Sequence, residues 1–162
     1  MMKTLITRLL ALVLLASYVI FPANALAITG ADFKAGRIID DVKFFSSNTM
    51  SALDIQRFLN AKVPVCDTNG TQVYSGAQTR AQFSATRGIS TPFTCLKDFQ
   101  TTIPAKIAES GLCEDIQPGN ATGAEIIKIV AVACGINPQA LIVLLQKEQS
   151  LITDDWQPEE KI

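Results

Sequence analysis

The feature that most constrains this chain is a short junction between two helical patterns, running from Gly135 to Pro138. Glycine readily adopts the left-handed conformation that ends a helix, so Gly135 predicts the end of the preceding one. Asn137 is a suitable N-cap, and Pro138 fits the first turn of the helix that follows. The junction therefore predicts two consecutive helices, antiparallel or angled, around a common core.

The second predicted helix carries the one chemical anomaly of the chain. At helical spacing, one face collects five aliphatic residues and a single carboxylic acid: Leu141, Leu144, Leu145, Glu148, Leu151 and Ile152. A carboxylate in an apolar stripe has to be paired, protonated or placed in a cleft where it does chemistry. We expect Glu148 to be partly desolvated, as a proton donor needs to be. The alternative is that Glu148 lies at the rim where the stripe meets solvent.

Capping patterns predict two further helices. Ser51 with Asp54, and Thr122 with Glu125, have the three-residue spacing of a capping box. Between them, residues 66–92 are polar and rich in Gly, Thr, Ser and Gln, which is typical of a long loop. These patterns predict a mainly α fold in which the helices are joined by long loops.

The four cysteines predict how those loops are held. An even number of cysteines indicates disulfides if the chain is exported, as its apolar N-terminal run predicts; there would be two, formed by Cys66, Cys95, Cys113 and Cys134. Three pairings are possible. We favour Cys66–Cys95 and Cys113–Cys134, because each then closes a local loop and contributes about 3 kcal/mol in the chain-entropy treatment.

The N-terminus has the pattern of a secretory signal. Basic residues precede an uncharged apolar run from Leu9 to Ile20, and Ala25-Leu26-Ala27 supplies the small residues of a cleavage site. The run is short for a membrane span, although an uncleaved anchor is the alternative. We expect residues 1–27 to be a signal peptide and the mature protein to be secreted, or held at the cell surface, without stable membrane insertion.

Composition excludes several classes of function. Histidine is absent, so this chain supplies neither a Ser-His-Asp triad, nor a Cys-His pair, nor a His-ligated zinc. No basic patch is visible, which argues against a nucleic-acid partner. Among secreted hydrolases, carboxylate-based chemistry remains, and we predict no metal site and no cofactor.

The segment from Ala124 to Leu151 resembles the first catalytic segment of soluble lytic transglycosylases and goose-type lysozymes. In that family a Gly-hydrophobic-Asp/Asn-Pro turn joins two helices, and the catalytic Glu follows the Pro by ten residues, as Glu148 follows Pro138. A Ser usually follows the Glu directly. Here Gln149 takes that place and Ser150 comes one residue later.

Upstream stretches look like the N-terminal regions of secreted bacterial proteins that carry this segment. They are Met50 to Gly70, Phe93 to Lys97, and Leu112-Cys113. The proteins concerned are variously described as glycosidases or as haemagglutinin-like, so the resemblance is compatible with more than one activity.

The resemblance implies a function in the bacterial cell wall. Glu148 would be the general acid for a glycosidic bond in peptidoglycan or another polysaccharide, with Ser150 as a substrate contact. Trp156 is a candidate platform for sugar stacking. A hydrolytic route needs a second carboxylate, for which Asp154 and Asp155 are candidates, although both also fit an acidic, solvated helix end. The competing function is a non-catalytic secreted domain that binds the wall or acts as an adhesin.

The resemblance also implies an architecture. After the signal peptide, residues 28–120 would form an N-terminal helix and a disulfide-stapled loop region. Residues 121–162 would begin a lysozyme-like helical domain, which we expect to be partial because only 14 residues follow Glu148.

Overall fold

The computed structural model describes Gly36 and residues 38–107 and 111–156 of the 162-residue chain. The predicted signal peptide with its cleavage site, and residues 157–162, lie outside the described residues. From Ile39 onward the described residues belong to one structural unit. Its elements in chain order are α1 Asp41–Phe44, α2 Ala52–Lys62, β1 Val73–Ser75, β2 Gln78–Thr79, α3 Arg80–Ala85, β3 Gln100–Ile103, β4 Gly119–Thr122, α4 Gly123–Ala133 and α5 Pro138–Gln149.

The core lies between three helices, with α4 packed against both α2 and α5. Its buried side chains are mostly aliphatic: Ile55, Leu59, Leu96, Ala124, Ile127, Ile142, Leu151 and Ile152. Burying one large aliphatic side chain contributes about 1.5–3 kcal/mol, so a set of this size dominates the stability of the unit.

The predicted helix starts are confirmed. The Ser51 hydroxyl accepts from the Asp54 N–H, and the Asp54 carboxylate accepts from the Ser51 N–H, which completes the capping box of α2. Thr122 and Glu125 form the same reciprocal pair at the start of α4. Gly135, with φ of +66°, ends the turn after α4, and the Asn137 side chain caps α5.

The predicted fold class, mainly α with a partial lysozyme-like helical domain, is wrong. The described residues contain five helices and two small antiparallel sheets, which makes this a small mixed α/β fold. Strand β3 pairs with β4 from Gln100↔Thr122 to Ile103↔Gly119, and a bridge between Lys106 and Ile116 continues the pairing. These strands were not predicted because runs of four polar and β-branched residues are too short to show a two-residue period.

The stretch predicted to be one long loop also contains structure. Strands β1 and β2 form a hairpin around Gly76, whose φ is +58°, and α3 follows at once. The start of α3 is another capping box, between Thr79 and Gln82. The T-x-x-Q spacing was present in the sequence, so this helix was open to prediction on the same grounds as the other two.

Both disulfides form with the favoured pairing. Cys66–Cys95 closes the segment that holds the first hairpin and α3, and Cys113–Cys134 ties the chain ahead of β4 to the C-terminal end of α4. None of the described helices has both the length and the apolar character needed to cross a membrane.

Candidate functional site

Glu148 lies on the last turn of α5 and is exposed to solvent. One helical turn earlier, the Leu144 side chain is 53% exposed. Among the described residues, no cation lies within ion-pairing distance of the Glu148 carboxylate. The structure therefore presents Glu148 as an accessible carboxylate beside an exposed aliphatic side chain.

The expected desolvation of Glu148 is not observed, because the apolar stripe is arranged differently. Ile142, which lies off the predicted stripe, is a buried aliphatic residue of α5, whereas Leu144 faces outward. Helix α5 ends at Gln149, so Leu151 and Ile152 enter the core from a turn and not from the helix face. Leu141 and Leu145 of the predicted stripe do pack against the core, so the buried face of α5 includes part of the stripe together with Ile142 and excludes Leu144 and Glu148.

The N-terminal end of α5 is anchored by Asn137, which is 5% exposed. Its Oδ1 accepts from the Gln139 N–H at 2.9 Å and from the Thr49 hydroxyl at 2.8 Å. Its Nδ2 donates to the Lys43 carbonyl at 2.9 Å, and its backbone N–H donates to the Phe44 carbonyl at 2.7 Å. One buried amide therefore joins the start of the Glu148 helix to α1 and the chain that follows α1.

The C-terminal end of α5 is anchored by Gln146. Its Oε1 accepts from the Ile152 N–H at 3.2 Å, and its Nε2 donates to the Thr153 hydroxyl at 2.9 Å. Ser150 adopts the left-handed conformation with φ of +58°, and its N–H donates to the Gln146 carbonyl. Because both ends of α5 are held, the backbone that carries Glu148 has a defined position.

The predicted substrate contacts lie in different surroundings. Ser150 is exposed at the C-cap of α5, two residues from Glu148. Trp156 packs against aromatic residues from the stapled segment. Its ring centroid lies 5.5 Å from that of Tyr74, 6.3 Å from that of Phe83 and 5.6 Å from that of Phe93. Ser150 thus lies at the end of the helix that carries Glu148, whereas Trp156 belongs to a separate group of aromatic rings.

The two candidate second carboxylates already have partners. Asp155 Oδ1 lies 3.0 Å from Arg80 Nη1, and Asp154 Oδ1 accepts from the Trp156 N–H at 3.2 Å. Asp155 is therefore not simply a solvated carboxylate at an acidic helix end, because it forms an ion pair with Arg80 of α3.

Asp67 is the buried centre of that ion-pair network and was missed by the sequence reading. Its carboxylate is 4% exposed and accepts from the Thr71 and Gln72 N–H groups at 2.9 and 3.0 Å, and from Arg80 Nη1 at 3.3 Å. Burial alone would raise the pKa of Asp67. The hydrogen bonds from Gln72, Thr71 and Arg80 outweigh burial and hold this pKa below its usual value.

Two hollows of the described structure are lined by residues other than Glu148, Ser150 and Trp156. One, of about 310 Å³, covers the β3–β4 hairpin and is lined by polar residues that include Thr102, Asn120 and Glu125. Another of about 310 Å³ lies beside α4, next to Ile129 and Val132. Glu148 lines neither of them. In the part of the chain that the structure describes, no group of His, Cys, Asp and Glu is arranged to hold a metal ion.

Three residues of the aromatic cluster carried a weak signal in the sequence. Tyr74, Phe83 and Phe93 are isolated aromatic residues within a polar stretch, and a buried or functional role is the usual reason for aromatic residues there.

Comparison with protein-family models, with curated proteins and with solved structures found no match to this chain.

Proposed function

We propose that this protein is exported and acts on bacterial cell-wall glycan, with Glu148 as the general acid/base that cleaves the strand. The observation that carries the proposal is the placement of Glu148. It is an accessible carboxylate with no described cationic partner, on a helix held at both ends by Asn137 and Gln146. Side chains on anchored helices suit catalysis because their geometry is defined before the substrate binds.

Because Glu148 is exposed in the free protein, the bound substrate itself would have to exclude water from this carboxylate. A glycan strand lying across α5 would cover Leu144 and exclude water from the neighbouring carboxylate. Exclusion of water strengthens the interaction between a carboxyl group and the glycosidic oxygen that it protonates. In the free protein this acid faces water, so we expect activity on glycan long enough to cover the surface of α5.

A route with one protein carboxylate fits the site better than a route with two. Hydrolysis generally requires a second carboxylate to activate water or to act as a nucleophile. Asp155, one of the candidates for that role, is ion-paired to Arg80. This pairing supports a lytic transglycosylase reaction, in which the sugar's own hydroxyl completes the displacement and leaves an anhydro product.

Export rests on the N-terminal signal pattern and on the two disulfides. Disulfides persist in oxidising compartments outside the cytoplasm and are rare within it. N-terminal sequencing of the protein recovered from the medium should begin near Ile28. Recovery of the chain with Met1 intact in a membrane fraction would contradict this part of the proposal.

The decisive experiment is digestion of purified peptidoglycan sacculi by the whole chain and by Glu148→Gln. General acid catalysis is worth about 10²–10⁴-fold, so the variant should release soluble fragments at least about 100 times more slowly. Glu114→Gln is the matched control, because Glu114 is an exposed carboxylate outside α5. Mass spectrometry of the released ends distinguishes anhydro sugars from hydrated reducing ends. Equal release by wild type and Glu148→Gln would refute the catalytic role.

A non-catalytic wall-binding or adhesive domain is the second candidate. The observation that favours it is the group of aromatic rings around Trp156, in which Tyr74, Phe83 and Trp156 are at least partly exposed and lie outside the core. Sedimentation with sacculi separates the two functions. Binding without release of fragments by the wild-type chain supports the second candidate and not the first.

A further inference from the structure

Three aromatic side chains from different parts of the chain meet at one surface. Tyr74 lies on β1, Phe83 on α3, and Trp156 seven residues beyond the end of α5. The rings of Tyr74 and Phe83 are stacked, with centroids 3.8 Å apart and an angle of 20° between their planes. Trp156 is tilted by 52° against Tyr74 and by 55° against Phe83.

This cluster has a buried floor and an exposed outer side. Beneath it, the ring of Phe93 is 1% exposed and meets Trp156 edge to face. Above it, Tyr74 is 46% exposed, while Phe83 and Trp156 are half-buried. The outer side of the cluster therefore leaves aromatic surface open to solvent, and contiguous exposed surface of this kind is a candidate for ligand binding.

Two arginines, Arg80 and Arg87, flank the rings, and they differ in whether a described carboxylate pairs with them. The guanidinium carbon of Arg80 lies 5.3 Å from the centre of the Trp156 ring, and its charge is matched by Asp67 and Asp155. The guanidinium carbon of Arg87 lies 4.3 Å from the centre of the Phe83 ring. Arg87 is exposed, and within the described ranges no carboxylate forms an ion pair with it.

Stacking on Phe83 restrains the Arg87 guanidinium without neutralising it. A guanidinium held against a ring keeps its planar fork of N–H donors available, and that fork matches the two oxygens of a carboxylate. The surface thus combines an apolar platform with one positioned cation, Arg87, that pairs with no carboxylate of the described residues. We name Tyr74, Phe83, Arg87 and Trp156 the aromatic–arginine surface.

We propose that the aromatic–arginine surface is a binding subsite for a saccharide that carries a carboxylate. One face of a pyranose ring presents C–H groups, whose positive edges are attracted to the negative faces of aromatic rings such as Tyr74 and Trp156. Arg87 donates a two-pronged hydrogen bond to the carboxylate of the bound sugar. The subsite rests on the proposed cell-wall function for its natural ligand, since muramic acid is a wall sugar whose lactyl group is a free carboxylate wherever the stem peptide has been removed.

The test uses a matched pair of disaccharides and measures binding without cleavage. N-acetylglucosaminyl-N-acetylmuramic acid, with its lactyl carboxylate free, is compared with neutral di-N-acetylchitobiose. Trp156 is the single tryptophan of the chain, so its fluorescence reports directly on this surface. We expect the whole chain to bind the acidic disaccharide about tenfold more tightly than the neutral one, as a charge-assisted hydrogen bond provides.

The variants separate charge from stacking. Arg87→Gln should remove the preference for the acidic sugar, and Arg87→Lys should restore part of it, because lysine keeps the charge and lacks the planar fork. Tyr74→Ala should weaken binding of both disaccharides. Arg57→Gln is the control, since Arg57 is an exposed arginine on α2 that pairs with Asp54. Thermal melts check that each variant is folded.

Two results would overturn the subsite: equal affinity of the wild type for the two disaccharides, or a preference that survives Arg87→Gln in a folded variant. Neither result depends on cleavage of sacculi. Failure of the Glu148 assay with intact Arg87-dependent binding removes the enzymatic proposal alone, whereas Glu148-dependent cleavage with no binding here removes the subsite alone.

Discussion

Arg80 Nη1 lies 3.0 Å from Asp155 Oδ1 and thereby ties α3 to the chain that leaves the Glu148 helix. The same nitrogen lies 3.3 Å from Asp67 Oδ2, and the Asp67 N–H donates to the Asp155 carbonyl at 2.6 Å. Residues 67, 80 and 155 therefore form one link between the disulfide-closed segment and the end of the described chain. The link therefore holds the backbone directly before Trp156, whose ring contacts Tyr74, Phe83 and Phe93.

Removal of the Arg80 guanidinium should lower the stability of the fold. Arg80→Gln leaves the Asp67 carboxylate, 4% exposed, without its cation, so we expect the free energy of unfolding to fall by about 2–3 kcal/mol. Urea denaturation followed by Trp156 fluorescence measures the change. Arg57→Gln removes an arginine from an exposed pair and should change stability by less than about 1 kcal/mol. An equal loss of unfolding free energy in the two variants would show that the link through Arg80 stabilises the fold no more than an exposed ion pair does.

The same carboxylate makes stability depend on pH in acid. The folded-state pKa of Asp67 is lowered: burial, which raises it, is outweighed by the hydrogen bonds from Gln72, Thr71 and Arg80. A lowered folded-state pKa stabilises the fold above the unfolded value of about 3.9, and this contribution disappears as pH falls through the folded-state pKa.

The folded-state pKa values of Asp54 and Glu125 are lowered as well, so these two groups add to the dependence of stability on pH. The Ser51 hydroxyl lowers the pKa of Asp54, and the Thr122 N–H lowers that of Glu125. The measurement is therefore the difference in urea midpoints between wild type and Asp67→Asn, taken from pH 7 down to pH 2. That difference should shrink once pH drops below about 4. A difference that stays constant throughout would contradict the assignment.

Two glycines with the same backbone conformation should respond differently to alanine. Gly70 has φ of +62°, and a Cβ there would lie 2.6 Å from the Ala81 nitrogen and 2.7 Å from a ring carbon of Phe93. Gly76 has φ of +58° with open space around it. Gly76→Ala should destabilise by about 1–2 kcal/mol from backbone strain alone. Gly70→Ala should lose about 1–3 kcal/mol more, because backbone and a buried ring have to move.

Thermal melts of the two glycine variants, run side by side, test this directly. A Gly70→Ala protein as stable as Gly76→Ala would mean that the chain around Ala81 and Phe93 relaxes at little cost.

Asn137 is expected to matter as a donor as well as a cap. Asn137→Asp keeps an oxygen for the Gln139 N–H and loses the N–H that the Lys43 carbonyl accepts. Since that carbonyl would then face a carboxylate, we expect a loss of about 2 kcal/mol, and a larger one for Asn137→Ala. Hydrogen exchange at the start of α5 provides the readout. If Asn137→Asp kept the wild-type protection from hydrogen exchange, Asn137 would act only as an N-cap, and its bond to the Lys43 carbonyl would not contribute to stability.

The sequence by itself determined those features that depend on neighbours along the chain. The capping boxes at Ser51 and Thr122, and the Asn137 cap, follow from contacts two or three residues apart, and all three are found. The two disulfides are of this kind as well, because pairing nearby cysteines closes the shorter loops.

The tertiary structure alone decided which surfaces are covered. The apolar period of α5 indicated a stripe through Leu144, yet α5 buries Ile142 and leaves Leu144 and Glu148 in solvent. The pairing of β3 with β4, the Arg80–Asp155 link and the rings around Trp156 likewise join distant segments. Burial and pairing depend on what packs opposite a residue, and no local pattern in this chain encodes that.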